Sequence, residues 1–213
     1  MAPDGYHDSR FVADRRRDVL WSTLCNDFFN HRVPVDGTVL DLGAGYAQFS
    51  NNVTARRRIA LDAWEGLSEH AAPGVEVIIG DAADLSGVQD GTIDFAFASN
   101  LFEHMTQDRF AAVLSQLRDK LSPRGQLAIL QPNYRYAYRE YFDDYTHVAI
   151  WSHVSLSDFL TANGFDPIEV RPRFLPLTIK GRLPVRPLLI RAYLRSPFKP
   201  LGKQMLLTAR PRP

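Results

Sequence analysis

From residue 38 onward the chain alternates short apolar runs with amphipathic stretches. Continuous aliphatic and aromatic runs at 39–42, 59–61, 75–79, 93–98 and 126–130 predict strands buried on both faces. Between the last two, the spacing predicts a helix over 107–121. Thr106 is placed as its N-cap, Asp108 sits in its first turn, and Ser122-Pro123-Arg124-Gly125 stops it. Strands alternating with crossover helices imply a doubly wound, mostly parallel sheet with helices on both faces. Upstream, residues 11–30 read as an amphipathic helix, with Leu20, Leu24 and Phe28 in one row and Trp21, Cys25 and Phe29 beside it. Val33-Pro34-Val35-Asp36-Gly37 ends it. Downstream, Ser155-Leu156-Ser157-Asp158 resembles a capping box and predicts a helix that closes at Gly164. Strands at 168–174 and 204–209 would complete the sheet, with the Pro- and Arg-rich stretch 175–203 inserted between them. The expected organisation is a helical cap over 1–37 and one α/β domain over 38–213.

Composition narrows this picture. A chain of 213 residues with 45% hydrophobic content supports one large core. No run approaches the roughly 18 apolar residues of a membrane span, and the polar N-terminus has no signal-peptide apolar region. Cys25 is the single cysteine, so no internal disulfide forms, and it reads as a packed apolar residue. A cytoplasmic protein is expected. Charge is divided unevenly: residues 1–170 carry 14 Lys and Arg against all 24 acids, whereas 171–213 carry 11 Lys and Arg and no acid. That tail lacks the dense basic cluster with interleaved aromatics of a nucleic-acid binder, so no nucleic acid is expected. A solvated face or a contact with anionic membrane remains open for it.

The segment Val39-Leu-Asp41-Leu-Gly43-Ala-Gly45 runs a strand straight into a glycine turn, the place where an open α/β sheet binds ligands. Asp62 closes the second strand nineteen residues after Gly43, the spacing at which a carboxylate accepts hydrogen bonds from ribose hydroxyls. Gln48 stands where a dinucleotide fingerprint wants a third Gly or Ala, and no Gly-Lys-Ser/Thr phosphate loop is present. The expected ligand is therefore a nucleoside without a pyrophosphate.

Five segments in order resemble the class I S-adenosylmethionine-dependent methyltransferases, a Rossmann-like fold with a seven-stranded sheet. They are 39–45, Asp62, Gly80-Asp81-Ala82, 94–104 and 121–129, and the resemblance covers roughly 38–170. It implies S-adenosyl-L-methionine as cofactor, with Gly43 and Gly45 beside its methionine moiety. It also implies that Asp81 meets the adenine amino group and the Ala82 amide a ring nitrogen, and it brings Ala63 and Asn100 to the same pocket. Trp64 is either a cover for the adenine face or a core residue. Asp41 either orients the glycine loop or approaches the cofactor's amino group. Tyr6, Arg10 and Arg17 are candidates for its carboxylate.

Methyl transfer to an alcohol needs the acceptor aligned and its proton removed. Two clusters offer this: Asn100-Leu-Phe-Glu103-His104 after the fourth strand, and Tyr141-Phe-Asp143-Asp144-Tyr-Thr-His147 after the fifth. His147 is the first choice as general base, against a structural role capping a loop, with His104 and Asp144 in support. Glu103 and His104, joined by Asp143 or Asp144, form a candidate Mg2+ site. Tyr134, Tyr136, Tyr138, Tyr141, Phe142 and Tyr145 suit either an acceptor-pocket wall or a packed lid. Ser99-Asn100-Leu101-Phe102 replaces the Asn-Pro-Pro-Tyr signature of amino-group methylation, which turns the expectation to a hydroxyl acceptor. The layout resembles bacterial sugar and polysaccharide O-methyltransferases. A quinone or lipid-linked acceptor, and a non-catalytic cofactor-binding protein, are the alternatives.

Overall fold

The computed structural model describes residues 15–177 and 185–212. Seven strands form one sheet: β1 (Thr38–Leu42), β2 (Arg57–Asp62), β3 (Val75–Ile79), β4 (Ile93–Ser99), β5 (Leu121–Pro132), β6 (Phe165–Leu175) and β7 (Gln204–Pro211). Their order is β3-β2-β1-β4-β5-β7-β6. The first five run parallel, and β7 lies antiparallel to both β5 and β6. This is the Rossmann-like, doubly wound sheet expected from the alternating pattern. Each predicted strand is present; β3 matches its apolar run, and the others extend beyond theirs by one to several residues. The longest extension is in β5, which starts at Leu121: this residue pairs with Ile93, and the ladder resumes only at Gln126 opposite Phe95. Pro123 and Gly125 thus make an irregularity inside the strand rather than a plain stop.

The helices are α1 (Arg15–Asp27), α2 (Gln48–Asn52), α3 (Leu67–His70), α4 (Gln107–Lys120), α5 (Tyr134–Ala137), α6 (His153–Ala162) and α7 (Pro187–Arg195). Thr106 caps α4 by accepting from the Arg109 amide. The sequence places the start of α6 too late. Ser152, not Ser155, is the N-cap, and Ser155 answers as the reciprocal partner of the capping box. The Ser-x-x-Ser pairing is satisfied by two hydroxyls, whereas the Ser-x-x-Asp read from the sequence lies one turn inside the helix. Helix α7 occupies the expected insertion.

Alternation in β4 sorts the core into two faces. Ala96 and Ala98 face a cluster built with Phe110, Leu114 and Leu117 of α4 and Leu156 and Leu160 of α6. Phe95 and Phe97 face the other way, into Trp21, Leu24 and Cys25 of α1 and Phe49 of α2. Phe49 and Phe97 lie with ring centroids 4.0 Å apart, and Phe29 meets both edge-on. Cys25 is fully buried there, and burial pushes its thiol pKa upward, as a packed apolar role requires.

Because β7 runs against β5, its first residue Gln204 pairs with Pro132, the last residue of β5. The C-terminal ends of β1, β2, β4 and β5 and the beginning of β7 therefore share one edge, which carries the site. Phe97 joins three rings to the centre of the sheet, so Phe97→Ala should lower unfolding free energy by about 3–5 kcal/mol in urea titrations. A loss below about 1 kcal/mol would contradict the assignment of that face as close-packed core.

Candidate active site

The chain leaves β1 at Leu42 and turns through Gly43 (φ +67°) and Gly45 (φ +50°), both left-handed. The Gly43 and Ala44 amides donate to the Leu61 carbonyl at 2.9 and 3.1 Å, which ties the turn to β2. Asp62 completes the tie with its side chain. One carboxylate oxygen accepts from the Gly45 amide (2.8 Å) and the other from the Trp64 amide (2.9 Å). A Cβ on Gly43 would stand 2.8 Å from Leu101 Cδ1, whereas one on Gly45 would meet nothing within 4 Å. Gly43 is thus required by packing. Gly45 leaves open space against bare backbone, where a ligand approaches.

Asp41, the fourth residue of β1, bonds to α2. It is buried, and one oxygen accepts from Ser50 Oγ (2.5 Å) and the Ser50 amide (3.3 Å), joining β1 to α2. Burial raises its pKa to about 7; the Ser50 bonds offset part of this, and the nearby Asp62 charge adds to it. These contacts tie β1 to α2 behind the glycine turn. Asp81 follows β3, accepts from the Ala83 amide (2.9 Å) and pairs with Arg109 of α4 through both oxygens. Partial burial opposes ionisation, but the amide and the guanidinium outweigh it and hold Asp81 below the usual carboxylate range. Ala82 is buried beside it and Ala63 is exposed after Asp62. Trp64 stacks on His70 and tilts against Tyr46, 4.9 Å between centroids. Asn100 adopts φ +51°, and its side-chain oxygen accepts from Gln204 Nε2 (3.1 Å). Arg17 donates to Gln48 (3.2 Å) at the start of α2. Tyr6 and Arg10 lie outside the described residues.

The two clusters expected from sequence to serve the acceptor come together. The turn Phe102–His104 follows Leu101, the residue that closes over Gly43. The loop 141–149 is clasped to it. The Val148 and Ala149 amides donate to the Glu103 carbonyl (2.9 and 3.1 Å), Tyr141 donates to the Ala149 carbonyl (2.7 Å), and Trp151 donates to the Phe102 carbonyl (3.2 Å). Thr146 uses its hydroxyl proton on Asp144 (2.6 Å). Its Oγ1 and carbonyl oxygen, 2.9 and 3.2 Å from His104 Nδ1, therefore accept from that nitrogen. The His104 proton sits on Nδ1 and the lone pair on Nε2. Burial, with His147 beside it, lowers the His104 pKa to about 4 and keeps the ring neutral. The His147 ring meets His104 edge-on at 4.8 Å and leans on Tyr141 at 4.7 Å. Glu103 is fully buried with neither carboxylate oxygen hydrogen-bonded among the described residues. Burial raises its pKa to about 8.

The open face at Gly45, the Asp62 carboxylate at the end of β2 and the Asp81 turn fit a nucleoside-bearing cofactor. The expected Mg2+ set fits less well. Glu103, His104 and His147 have potential ligand atoms within 4.8 Å of one another, and Asp144 is not in that group. Asp144 instead holds Thr146, which sets His104. Two imidazoles and one carboxylate are not the oxygen shell that Mg2+ takes.

A fold of this topology with a glycine turn, an acid ending β2 and a second acid after β3 suits the binding of a nucleoside-bearing cofactor. The sequence matches the family described as "Methyltransferase domain" over residues 13–170, and the chain belongs to it. A comparison with curated proteins finds no match. Similar solved structures include the Haloferax volcanii partner of the Trm112 methyltransferase activator, with 18% identity, TM-score 0.67, and 94% and 96% of the two chains covered. A SAM-dependent methyltransferase from Archaeoglobus fulgidus is 20% identical at TM-score 0.66, over 91% and 93%. The Burkholderia thailandensis 1,6-didemethyltoxoflavin-N1-methyltransferase, solved with S-adenosylhomocysteine, is 19% identical at TM-score 0.63, over 98% and 84%. At these identities the likeness carries the fold and not the substrate.

Sequence reasoning missed Arg109 and Gln204 as partners of site residues, and it placed Tyr141 and Thr146 in the right cluster without their bonds. Arg109 has a faint signal, a cation on the face of α4 that also carries Thr106. Gln204 joins a residue 104 positions away and leaves none.

Three outcomes follow from these contacts. Asp62→Ala should weaken S-adenosylhomocysteine binding at least tenfold by calorimetry, about 1.4 kcal/mol. It should also lower the melting temperature, since two loop amides lose their acceptor; unchanged affinity would contradict the role. Gly43→Val should abolish that binding, because the added carbons meet Leu101 at a left-handed backbone. The third outcome concerns pH. Asp41 binds its proton more tightly folded than unfolded, so its contribution to stability falls as pH rises from about 4 to about 7 and then levels off. Asp41→Asn removes that fall. The melting temperature of the variant should gain on the wild type through this window, and parallel curves would contradict the burial of a titrating acid.

Proposed function

We propose that this protein is an S-adenosylmethionine-dependent O-methyltransferase whose acceptor is a hydroxyl of a small molecule, a sugar or oligosaccharide. The observation that carries the reading is the imidazole pair His104–His147 held one turn beyond Leu101, at the edge where Gly45 leaves room for a cofactor. S-adenosylmethionine, when bound, supplies a methyl group activated by the sulfonium. Gly43, Gly45, Asp62, Ala63, Asp81, Ala82 and Asn100 are assigned to hold it. His147 is the base that takes the hydroxyl proton. His104, with its pKa near 4, is too weak a base for that task, and it positions His147 from a tautomer set by the Thr146–Asp144 link. Tyr138, Phe142 and Tyr145 expose their rings on the same loop and its approach, which suits the apolar faces of a sugar. His147→Ala should lower kcat by roughly 10²–10⁴-fold with cofactor affinity unchanged. Transfer of labelled methyl groups to a panel of sugars and oligosaccharides checks the acceptor class; transfer only to amines would contradict it.

A second reading of the same cluster is favoured by the orphaned Glu103 carboxylate: Glu103, His104 and His147 bind a transition ion such as Zn2+ that acidifies the acceptor hydroxyl. Calorimetric titration with Zn2+ decides between the two. Binding that Glu103→Gln removes supports the ion, and no heat leaves His147 as the proton acceptor.

A further inference from the structure

The segment between β6 and β7 is rooted at the cofactor edge. Leu175 pairs with Gln204, the Lys203 carbonyl accepts from the Asn133 amide at the end of β5 (2.8 Å), and Gln204 donates to Asn100. From this root α7 lies on α1: Ile190 is buried, Tyr193 and Leu194 pack against the same core, and Arg191 pairs with Asp27 (2.8 Å). Other apolar side chains of the segment are uncovered. Leu188 is 75% exposed, Leu189 47%, Phe198 80% and Leu201 50%. Leu188 and Phe198 are the most exposed large apolar side chains among the described residues.

This exposure is built in rather than left over. Lys199 donates to the carbonyls of Tyr193, Leu194 (3.0 Å) and Ser196 (2.7 Å) and closes the end of α7. Ser196 Oγ bonds both the amide and the carbonyl of Phe198 (3.1 and 2.9 Å), and Arg173 donates to the Gly202 carbonyl (3.0 Å) and to that of Pro200 (2.5 Å). The turn that displays Phe198 is therefore held by side chains at both ends. Holding apolar surface in water is unfavourable in proportion to its area, and four exposed large apolar side chains within one short segment point to a contact surface. Two acids of the body meet this segment, Asp27 on Arg191 and Glu140 on Lys203, and the segment's own charges are all positive. Arg186 and Arg195 are exposed on α7, and no acid occurs anywhere in 171–213.

We propose that residues 185–203 form a membrane-contact surface that seats this protein on an anionic lipid bilayer with its cofactor edge close to the headgroups. Leu188, Leu189, Phe198 and Leu201 enter the boundary between headgroups and acyl chains while Arg186 and Arg195 meet lipid phosphates. Protruding apolar side chains on a segment whose own charges are all positive suit a fluid anionic surface, and a protein partner would have to supply the acids this tail lacks. The proposal does not depend on the identity of the methyl acceptor.

Sedimentation of the full chain with vesicles tests it. The protein should pellet with phosphatidylcholine vesicles that contain phosphatidylglycerol, remain in solution with phosphatidylcholine alone, and be released by salt. The double variant Leu188→Glu/Phe198→Glu should reduce partitioning at least about tenfold, with melting temperature and S-adenosylhomocysteine affinity unchanged. Failure to pellet, equal pelleting with neutral vesicles, or a variant that partitions like the wild type would each overturn the proposal. S-adenosylhomocysteine affinity measured on the same samples keeps this result separate from the methyltransferase reading.

Discussion

The Asp62 carboxylate holds two backbone amides at once, Gly45 before it in the chain and Trp64 after it. That pair of bonds fixes where the end of β2 sits against the glycine turn, and everything at the cofactor edge depends on it. Each bond is charge-assisted and shielded from bulk water on one side, so both are stronger than a neutral surface bond. A second acid works one layer deeper. Asp41, held by Ser50, anchors the same turn to the start of α2, from inside the core where it titrates near neutrality. The glycine turn is thereby fixed on two sides before any ligand arrives, which is the preorganisation a cofactor site needs.

The opposite wall is arranged differently. Glu103 offers its carbonyl to two amides of the loop 141–149 and buries a carboxyl group that meets no partner among the described residues. An unsatisfied buried polar group costs stability, and such groups concentrate where a site needs them. Beside it, the Asp144–Thr146–His104 relay settles one tautomer. The glycine turn is thus tied to its neighbours through several bonds, whereas the wall built on Glu103 keeps a buried carboxyl group with no hydrogen bond among the described residues.

The fold was legible because its signals are local. Apolar runs mark the strands, and Thr106 marks the start of α4. The glycine turn and Asp62 were legible for the same reason, since both lie at strand ends with a spacing fixed by one βαβ unit. What escaped depends on contacts between distant segments. Thr146 orients His104 across 42 positions, and Arg109 captures Asp81 across 28. Ser152 escaped for another reason: its partner in the capping box is a second serine, while the neighbouring Ser155–Asp158 pair carries the stronger pattern. The exposed side of α7 was legible only as a basic tail, because periodicity shows that a helix has an apolar side but not how much of it the body leaves uncovered.

The central claim is that the turn after β1, pinned by Asp62, cradles the nucleoside of a methyl donor. Isothermal titration of the wild-type chain with S-adenosylhomocysteine tests it most directly. The account predicts saturable heat at one site per chain, together with a rise in melting temperature. No heat and no thermal shift across millimolar ligand would contradict it.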